Sequence, residues 1–279
     1  MEGQPIGPSQ SRQPAPRDDR ERLRATFDQD AELYERARPG YPARLFEDLE
    51  ELAGLGPGSR VLEIGCGTGQ ATVPLAERGY QIVAVELGAD MAAVARRKLA
   101  RFDGVRVEVS AFEAWPVEPA GFDAVVSATA FHWIDPAVRV TRAADALRPG
   151  GALATVATHH VAGGDLAFFE EAQACYERWD PATPPGGVGL PLAAEVPSSA
   201  EELDRTGRFG PASFRRYEWE LAYSTAAYLE LLLTYSGHRA LDPPARAGLL
   251  DCIAERIEAG YGGSIRKAYL TELRVARLR

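Results

Sequence analysis

The chain is short of cysteine. Its three thiols, Cys66, Cys175 and Cys252, are an odd number and far apart in 279 residues. They form no metal-type cluster and suggest no disulfide frame, so a reducing cytoplasm is expected. Long apolar runs are also missing. The longest, such as "FDAVVSATAF", have the length of a buried strand and fall well below the roughly 18 residues of a membrane span. Positive charge is in deficit. Thirty-one Lys and Arg stand against 40 Asp and Glu, for a net charge of −9. That balance argues against a nucleic-acid backbone as partner. The first twenty residues, "MEGQPIGPSQSRQPAPRDDR", lack the apolar core of a targeting signal and read as a disordered tail, 1–22. No internal repeat is visible.

What is present is an ordinary globular composition, 46% hydrophobic and 25% charged, enough for a real core. Two helical stretches, broken at "RPGYP", fill 23–58. Strand and helix then alternate: "RVLEI", "ATVPLAERG", "QIVAVE", "ADMAAVARRKLARF", "VRVEV", "FDAVVSA", a helix from Pro136 to the Pro149–Gly151 stop, and "ALATVAT". The strands are short and apolar throughout, as parallel strands covered on both faces are. Residues 59–158 therefore read as an α/β, doubly wound, Rossmann-like core. After His160 the regularity fails. Residues 159–240 read as a cap with helices, one of them over "TAAYLELLLTYSGH", a loose Pro/Gly-rich stretch at 181–200 and one sheet strand, "FRRYEWELAY". Residues 241–279 read as a helix and a final strand.

The stretch "VLEIGCGTGQ" places Gly65, Gly67 and Gly69 between a strand and a helix, where glycine permits φ > 0 and close approach of a ligand. The spacing is G-x-G-x-G rather than the G-x-G-x-x-G of dinucleotide sites. Glu63, just before the glycines, would repel a pyrophosphate. Glu86 ends the next strand about 20 residues on, where a carboxylate accepts ribose hydroxyls. A nucleoside with a cationic or zwitterionic tail and no pyrophosphate fits these features.

Together "VLEIGCGTGQATVPLAERG", "VAVELG", "FDAVVSATAFHW" and "ADALRPGGAL" resemble the successive motifs of class I S-adenosylmethionine-dependent methyltransferases. "RPGYP", "SAFEAWP" and "FHWIDP" resemble the small-molecule branch that includes trans-aconitate methyltransferase-like proteins. The resemblance implies a seven-stranded sheet with an antiparallel last strand, N-terminal helices and a helical cap. It implies S-adenosylmethionine as cofactor, S-adenosylhomocysteine as product and no metal. Gly65, Gly67 and Gly69 would line the methionine and ribose part. Glu63 would reach the amino group, Glu86 the ribose, and Leu87 the adenine. Phe112 and Glu113 would cover the adenine, Ala128 would border the cofactor, and Tyr34 or Arg38 would meet the methionine carboxylate.

The acceptor side is more open. His132, after the fourth strand, is the leading base candidate, an imidazole titrating near neutrality at the carboxyl end of the sheet; a loop-shaping role is the alternative. Trp133 either walls the acceptor pocket or anchors the core. Tyr41, Tyr235, His238 and Arg239 are candidate acceptor contacts. His159 and His160 are adjacent on a strand, so at most one points at the pocket. Aromatic density over 160–240 suggests an aromatic or heterocyclic acceptor methylated on O, N or C. A small carboxylic acid, held by Arg38, Arg215, Arg216 or Arg239, and a non-catalytic cofactor-binding protein are the alternatives. The expected partner is a small molecule, with no nucleic acid or membrane, for a monomer or homodimer.

Overall fold

The structure is a computed structural model, and it describes residue 23 and residues 26–186 and 189–279. The expected tail at 1–22 lies outside the described residues. Seven strands form one sheet in the order β3-β2-β1-β4-β5-β7-β6. Strands β1 (Arg60–Ile64), β2 (Gln81–Glu86), β3 (Val105–Val109), β4 (Phe122–Ala128) and β5 (Leu147–His160) are parallel. Strand β6 (Ser213–Ser224) pairs antiparallel with β7 (Ser264–Arg277), which pairs antiparallel with β5. The expected sheet, with its antiparallel last strand, is the one observed.

Because the parallel strands are covered on both faces, neighbouring residues enter opposite cores. Val61, Ala124 and Ala154 pack with Leu45, Phe46 and Leu49 of α2 (Ala43–Ala53), which follows α1 (Ala31–Ala37), and with Leu75 of α3 (Thr72–Glu77). Leu62, Val125 and Leu153 pack on the other side with Val140 and Ala143 of α5 (Arg139–Ala146). Helix α4 (Ala89–Leu99) closes the first face through Ala95 and Leu99.

A third core belongs to the cap. It joins Phe168 of α6 (Leu166–Trp179), Leu231 of α8 (Thr225–Leu232), and Leu249, Ile253 and Ile257 of α10 (Pro243–Tyr261). Two short helices, α7 (Glu201–Asp204) and α9 (Ser236–Ala240), lie between them.

Three expectations are corrected. The helix expected to run from Pro136 to the Gly150–Gly151 stop spans only Arg139–Ala146, and "LRPGG" already belongs to β5. Leu147 pairs with Phe122, so the sheet ladder captures a segment whose composition signals a turn. The single helix expected over "TAAYLELLLTYSGH" is two, because Thr234 turns its hydroxyl onto the Leu231 carbonyl and Tyr235 is extended, with φ −84° and ψ 133°. The thiols are not all free: Cys175 of α6 and Cys252 of α10 form a disulfide. The two lie 77 residues apart and meet only because α6 packs on α10. A reducing compartment thereby loses its cysteine support. Among the described residues no helix is long and apolar enough to cross a membrane.

Candidate active site

A cavity of about 680 Å3 opens at the carboxyl ends of β1, β2, β4 and β5. Open α/β sheets bind ligands at this end, where the strand order reverses.

The glycine loop forms one wall. Gly65, Gly67 and Gly69 all have positive φ, at 69°, 57° and 87°. A Cβ on Gly65 would stand 2.5 Å from the Cβ of Ala130, so the turn needs glycine for packing as well as for φ. The Glu86 carboxylate ties the loop down. It accepts from the Gly67 N–H at 2.8 Å and from the Gly88 N–H at 2.9 Å. Gly65, Gly67, Glu86, Leu87, Phe112 and Ala128 all line the cavity. Leu87 is 39% exposed, an uncovered apolar side chain within a wall.

Three expected residues lie outside that wall. Gly69 faces Leu99 and Ala95 of α4. Glu113 accepts from the Asp135 N–H at 3.2 Å. Glu63 lies beneath the glycines at 1% exposure, with one carboxylate oxygen lacking a hydrogen-bond partner. Burial pushes its carboxyl up to about 8, with Thr72 opposing and Glu86 adding to the rise.

The N-terminal segment closes the cavity from above. Gln70 donates to the Arg38 carbonyl at 3.1 Å, pinning that segment to the glycine loop. Arg38 lies over the Tyr34 ring at 5.1 Å and the Tyr235 ring at 4.4 Å. One of its guanidinium nitrogens donates to the Thr234 carbonyl, and its Nε is buried without a partner. Tyr41 shares a 2.8 Å hydrogen bond with the Thr129 hydroxyl. Thr129 holds φ at 53°, a left-handed conformation that costs a β-branched residue about 1–3 kcal/mol and marks functional turns. Phe27 and Asp28, which the sequence reading did not single out, also line the cavity. Asp28 accepts from the N–H groups of Asp90 and Met91, capping α4. An acidic residue 61 positions before the helix it caps gives no local signal of that role.

The far end is lined by His132, Trp133, Thr158, His160, Tyr235 and Tyr269. His132 lines the cavity, and its side chain remains exposed there. Desolvation, with Arg139 and Arg38 nearby, pushes it down to about 4. Of the adjacent pair, His160 reaches the cavity; His159 turns to the opposite face, among Glu272 and Arg216. His160 Nε2 meets the Tyr235 hydroxyl at 3.0 Å. His238 does not line the cavity. It is 1% exposed, and its Nε2 meets the Tyr176 hydroxyl at 3.1 Å. Arg239 bonds the Leu233 carbonyl and approaches Asp30 at 4.0 Å, bracing the break between α8 and α9. Arg215 and Arg216 lie on the edge strand β6, outside the cavity wall.

Lys267 is the main residue that sequence reasoning missed. It is 3% exposed and sits behind Tyr235, with its Nζ 5.5 to 5.9 Å from the ring centres of Phe169, Tyr228, Tyr235 and Tyr269. A signal was available: Lys98 and Lys267 are the only lysines among 31 Lys and Arg. Among the described residues no group of three or more His, Cys, Asp or Glu side chains is placed to hold a metal ion.

Residues 61–151 match the family model of the methyltransferase domain. With the strand order and the glycine loop, residues 61–151 thus match a class I S-adenosylmethionine-dependent methyltransferase domain in fold and family. The chain is 39% identical over 123 residues to an uncharacterized methyltransferase of Mycobacterium tuberculosis, covering 44% of this chain and 48% of that protein. The chain thus spans about half the length of the curated relatives it matches. Among solved structures, a putative type II methyltransferase from Anaeromyxobacter dehalogenans is 26% identical, with a TM-score of 0.56, over 86% of this chain and 97% of that one. A phosphoethanolamine N-methyltransferase of Haemonchus contortus, solved with phosphomonomethylethanolamine and S-adenosylhomocysteine, is 20% identical, with a TM-score of 0.52, over 93% of this chain and 59% of that one. That last likeness is one of fold.

Proposed function

We propose that the chain transfers the methyl group of S-adenosylmethionine to a small aromatic or heterocyclic acceptor. The observation that supports this reading is the continuity of one cavity, from the glycine loop and Glu86 to His132, His160 and Tyr235. Donor and acceptor need such a shared space to meet in line.

The residues present suit the donor. Glu86 is fixed by two backbone N–H groups at the strand end and is the ribose ligand in this reading. A Cβ on Gly67 would project toward Met91 and Tyr34, so its absence leaves a cradle beside the loop. The buried, unpartnered Nε of Arg38 suits a carboxylate, and the unpartnered Glu63 oxygen suits an ammonium, directly or through water. Leu87 and Phe112 supply apolar cover for a purine. Bound there, S-adenosylmethionine supplies an electrophilic methyl carbon on a good leaving group. The chain's own work is then alignment and exclusion of water. Phe27, Tyr34 and Tyr41 close the N-terminal segment over the cavity. Trp133, Tyr235 and Tyr269 line the acceptor end with aromatic side chains. His132 contacts the acceptor as a neutral imidazole. Its depressed pKa lets it accept a hydrogen bond but makes it a weak final holder of a proton.

Isothermal calorimetry tests the donor reading. S-adenosylhomocysteine is expected to bind the intact chain and to bind Glu86→Ala at least tenfold more weakly. Unchanged affinity in the variant would remove Glu86 as ribose ligand, and no binding by the intact chain would end the assignment. A screen of phenols, heterocycles and carboxylic acids by methyl transfer then addresses the acceptor.

A further inference from the structure

We propose that His160, Tyr235 and Lys267 form a proton relay, which takes the proton from an acceptor methylated at an ionisable O–H, a phenol or an enol. The proposal rests on the methyl-transfer reading above and adds the acceptor's chemistry to it.

The geometry is a chain of three groups. His160 lines the acceptor end of the cavity at the end of β5. Its Nε2 is 3.0 Å from the Tyr235 hydroxyl. That hydroxyl is 3.5 Å from Lys267 Nζ, on the neighbouring strand β7. Tyr235 is delivered to this position by the break between α8 and α9, where Thr234 and Tyr235 leave the helix. In this proposal the second ring nitrogen of His160 takes the acceptor's proton. Lys267 is outside the cavity wall and acts through Tyr235, so it is a positioning residue and not a contact.

Why a lysine stands here is a matter of chemistry. Arginine supplies 29 of the 31 basic residues, yet a buried lysine occupies this site. A guanidinium cannot release its proton at any accessible pH, whereas a desolvated ammonium can. The groups facing Lys267 are aromatic rings and cations. On its own strand is Tyr269; from the α8–α9 break comes Tyr235, from α8 Tyr228, and from α6 Phe169. Arg38 acts on it as a like charge, and His160 and His238 each feel its charge in turn. Ring faces ease the ammonium only in part. Burial, followed by Arg38, brings Lys267 down to about 7. An efficient base has a pKa near the working pH. The nearby histidines do not: His132 is at about 4, His238 at about 3, and His160 lies well below its ordinary value. Tyr235, pushed up to about 12, keeps its proton at rest and passes one on without storing it.

The step balances. Lys267 begins as the neutral amine. The acceptor's O–H proton moves to the free nitrogen of His160, the Nε2 proton to the Tyr235 oxygen, and the Tyr235 proton to the lone pair of Nζ. The acceptor oxygen forms the new O–CH3 bond as the C–S bond breaks, and that electron pair stays on sulfur. The positive charge lost at sulfur reappears on Lys267, so the net charge of the site is unchanged. A carboxylate acceptor, already ionised, would have no use for the relay.

The 279-residue chain labelled with ε-13C lysine gives a direct test, because only Lys98 and Lys267 contribute signals. Lys98→Arg assigns them. The Lys267 signal is expected to titrate with a midpoint near 7. A 15N-labelled His160 signal is expected to shift with the same midpoint, and Tyr235→Phe is expected to abolish that coupling while Lys267 still titrates. A Lys267 midpoint above 9, or a His160 signal indifferent to it, overturns the relay. Calorimetry with S-adenosylhomocysteine on the same sample separates the two readings. Binding without titration sinks the relay alone; titration without binding sinks methyl transfer and the relay's part in it.

Discussion

Gly65 shows how tightly single residues shape the site. Its φ of 69° is left-handed, and a Cβ there would meet the Ala130 Cβ at 2.5 Å. A non-glycine residue in this conformation costs about 1–2 kcal/mol, and overlap in a packed site adds about 1–3 kcal/mol. Gly65→Ala is therefore expected to lower stability by about 2–5 kcal/mol in chemical denaturation. The second site separates the two causes. Ala130→Gly in the same chain is expected to restore the overlap part and leave the φ part. Absence of any recovery would show that the turn, and not its contact with Ala130, sets the cost. This much of the site was legible in the sequence, because glycine spacing and a carboxylate at the next strand end are local signals. Phe27, Asp28 and Thr129 were not. Their roles arise from where the N-terminal segment and the fourth strand end come to lie, which no short window encodes. Lys267 sits between these cases, since its rarity was visible and its aromatic surroundings were not.

At the scale of elements, periodicity located the strands and most helices. It failed where tertiary contacts override local composition. "LRPGG" carries turn residues but extends β5 because Phe122 pairs with Leu147. The cap helices show another limit. Cys175 and Cys252 face each other only after α6 and α10 pack, and spacing along the chain cannot report that. Their bridge closes a long loop across the cap core of Phe168, Leu249 and Ile253. A bridge of this kind stabilises by about 2–4 kcal/mol, mainly by restricting the unfolded chain. Cys175→Ser with Cys252→Ser is expected to lower the melting temperature under oxidising conditions. The intact chain in excess dithiothreitol is expected to melt where the double variant does. Equal melting temperatures for the oxidised intact chain and the double variant would show that the helices pack without help from the bridge.

For the whole molecule, the burial that shapes the cavity also sets how stability responds to pH. Three kinds of buried group act with different signs. Glu63 keeps its proton in the folded chain up to about 8 and loses it near 4.5 when unfolded, so raising the pH from 4.5 to 8 costs stability. Lys267 releases its proton near 7 when folded and near 10.5 when unfolded, so stability rises over that interval. His238, held at about 3 by burial, then Lys267 and Arg38, binds a proton near 6.5 only when unfolded. Stability from this residue is complete above 6.5 and falls as the pH drops toward 3. The intact chain therefore reports a mixture, in which Glu63 opposes His238 on acidification. Comparison with His238→Gln isolates one member, because the other groups contribute alike to both proteins. The variant carries no imidazole to protonate, and its amide can still meet the Tyr176 hydroxyl. Relative to the variant, the intact chain is expected to lose about 2 kcal/mol between pH 7 and pH 5, at about 1.4 kcal/mol for each unit below 6.5. Chemical denaturation of both proteins across that range measures the difference directly. A constant difference from pH 7 to pH 5 would mean that His238 takes up its proton within the folded cap, where its Nδ1 now lies buried without a partner.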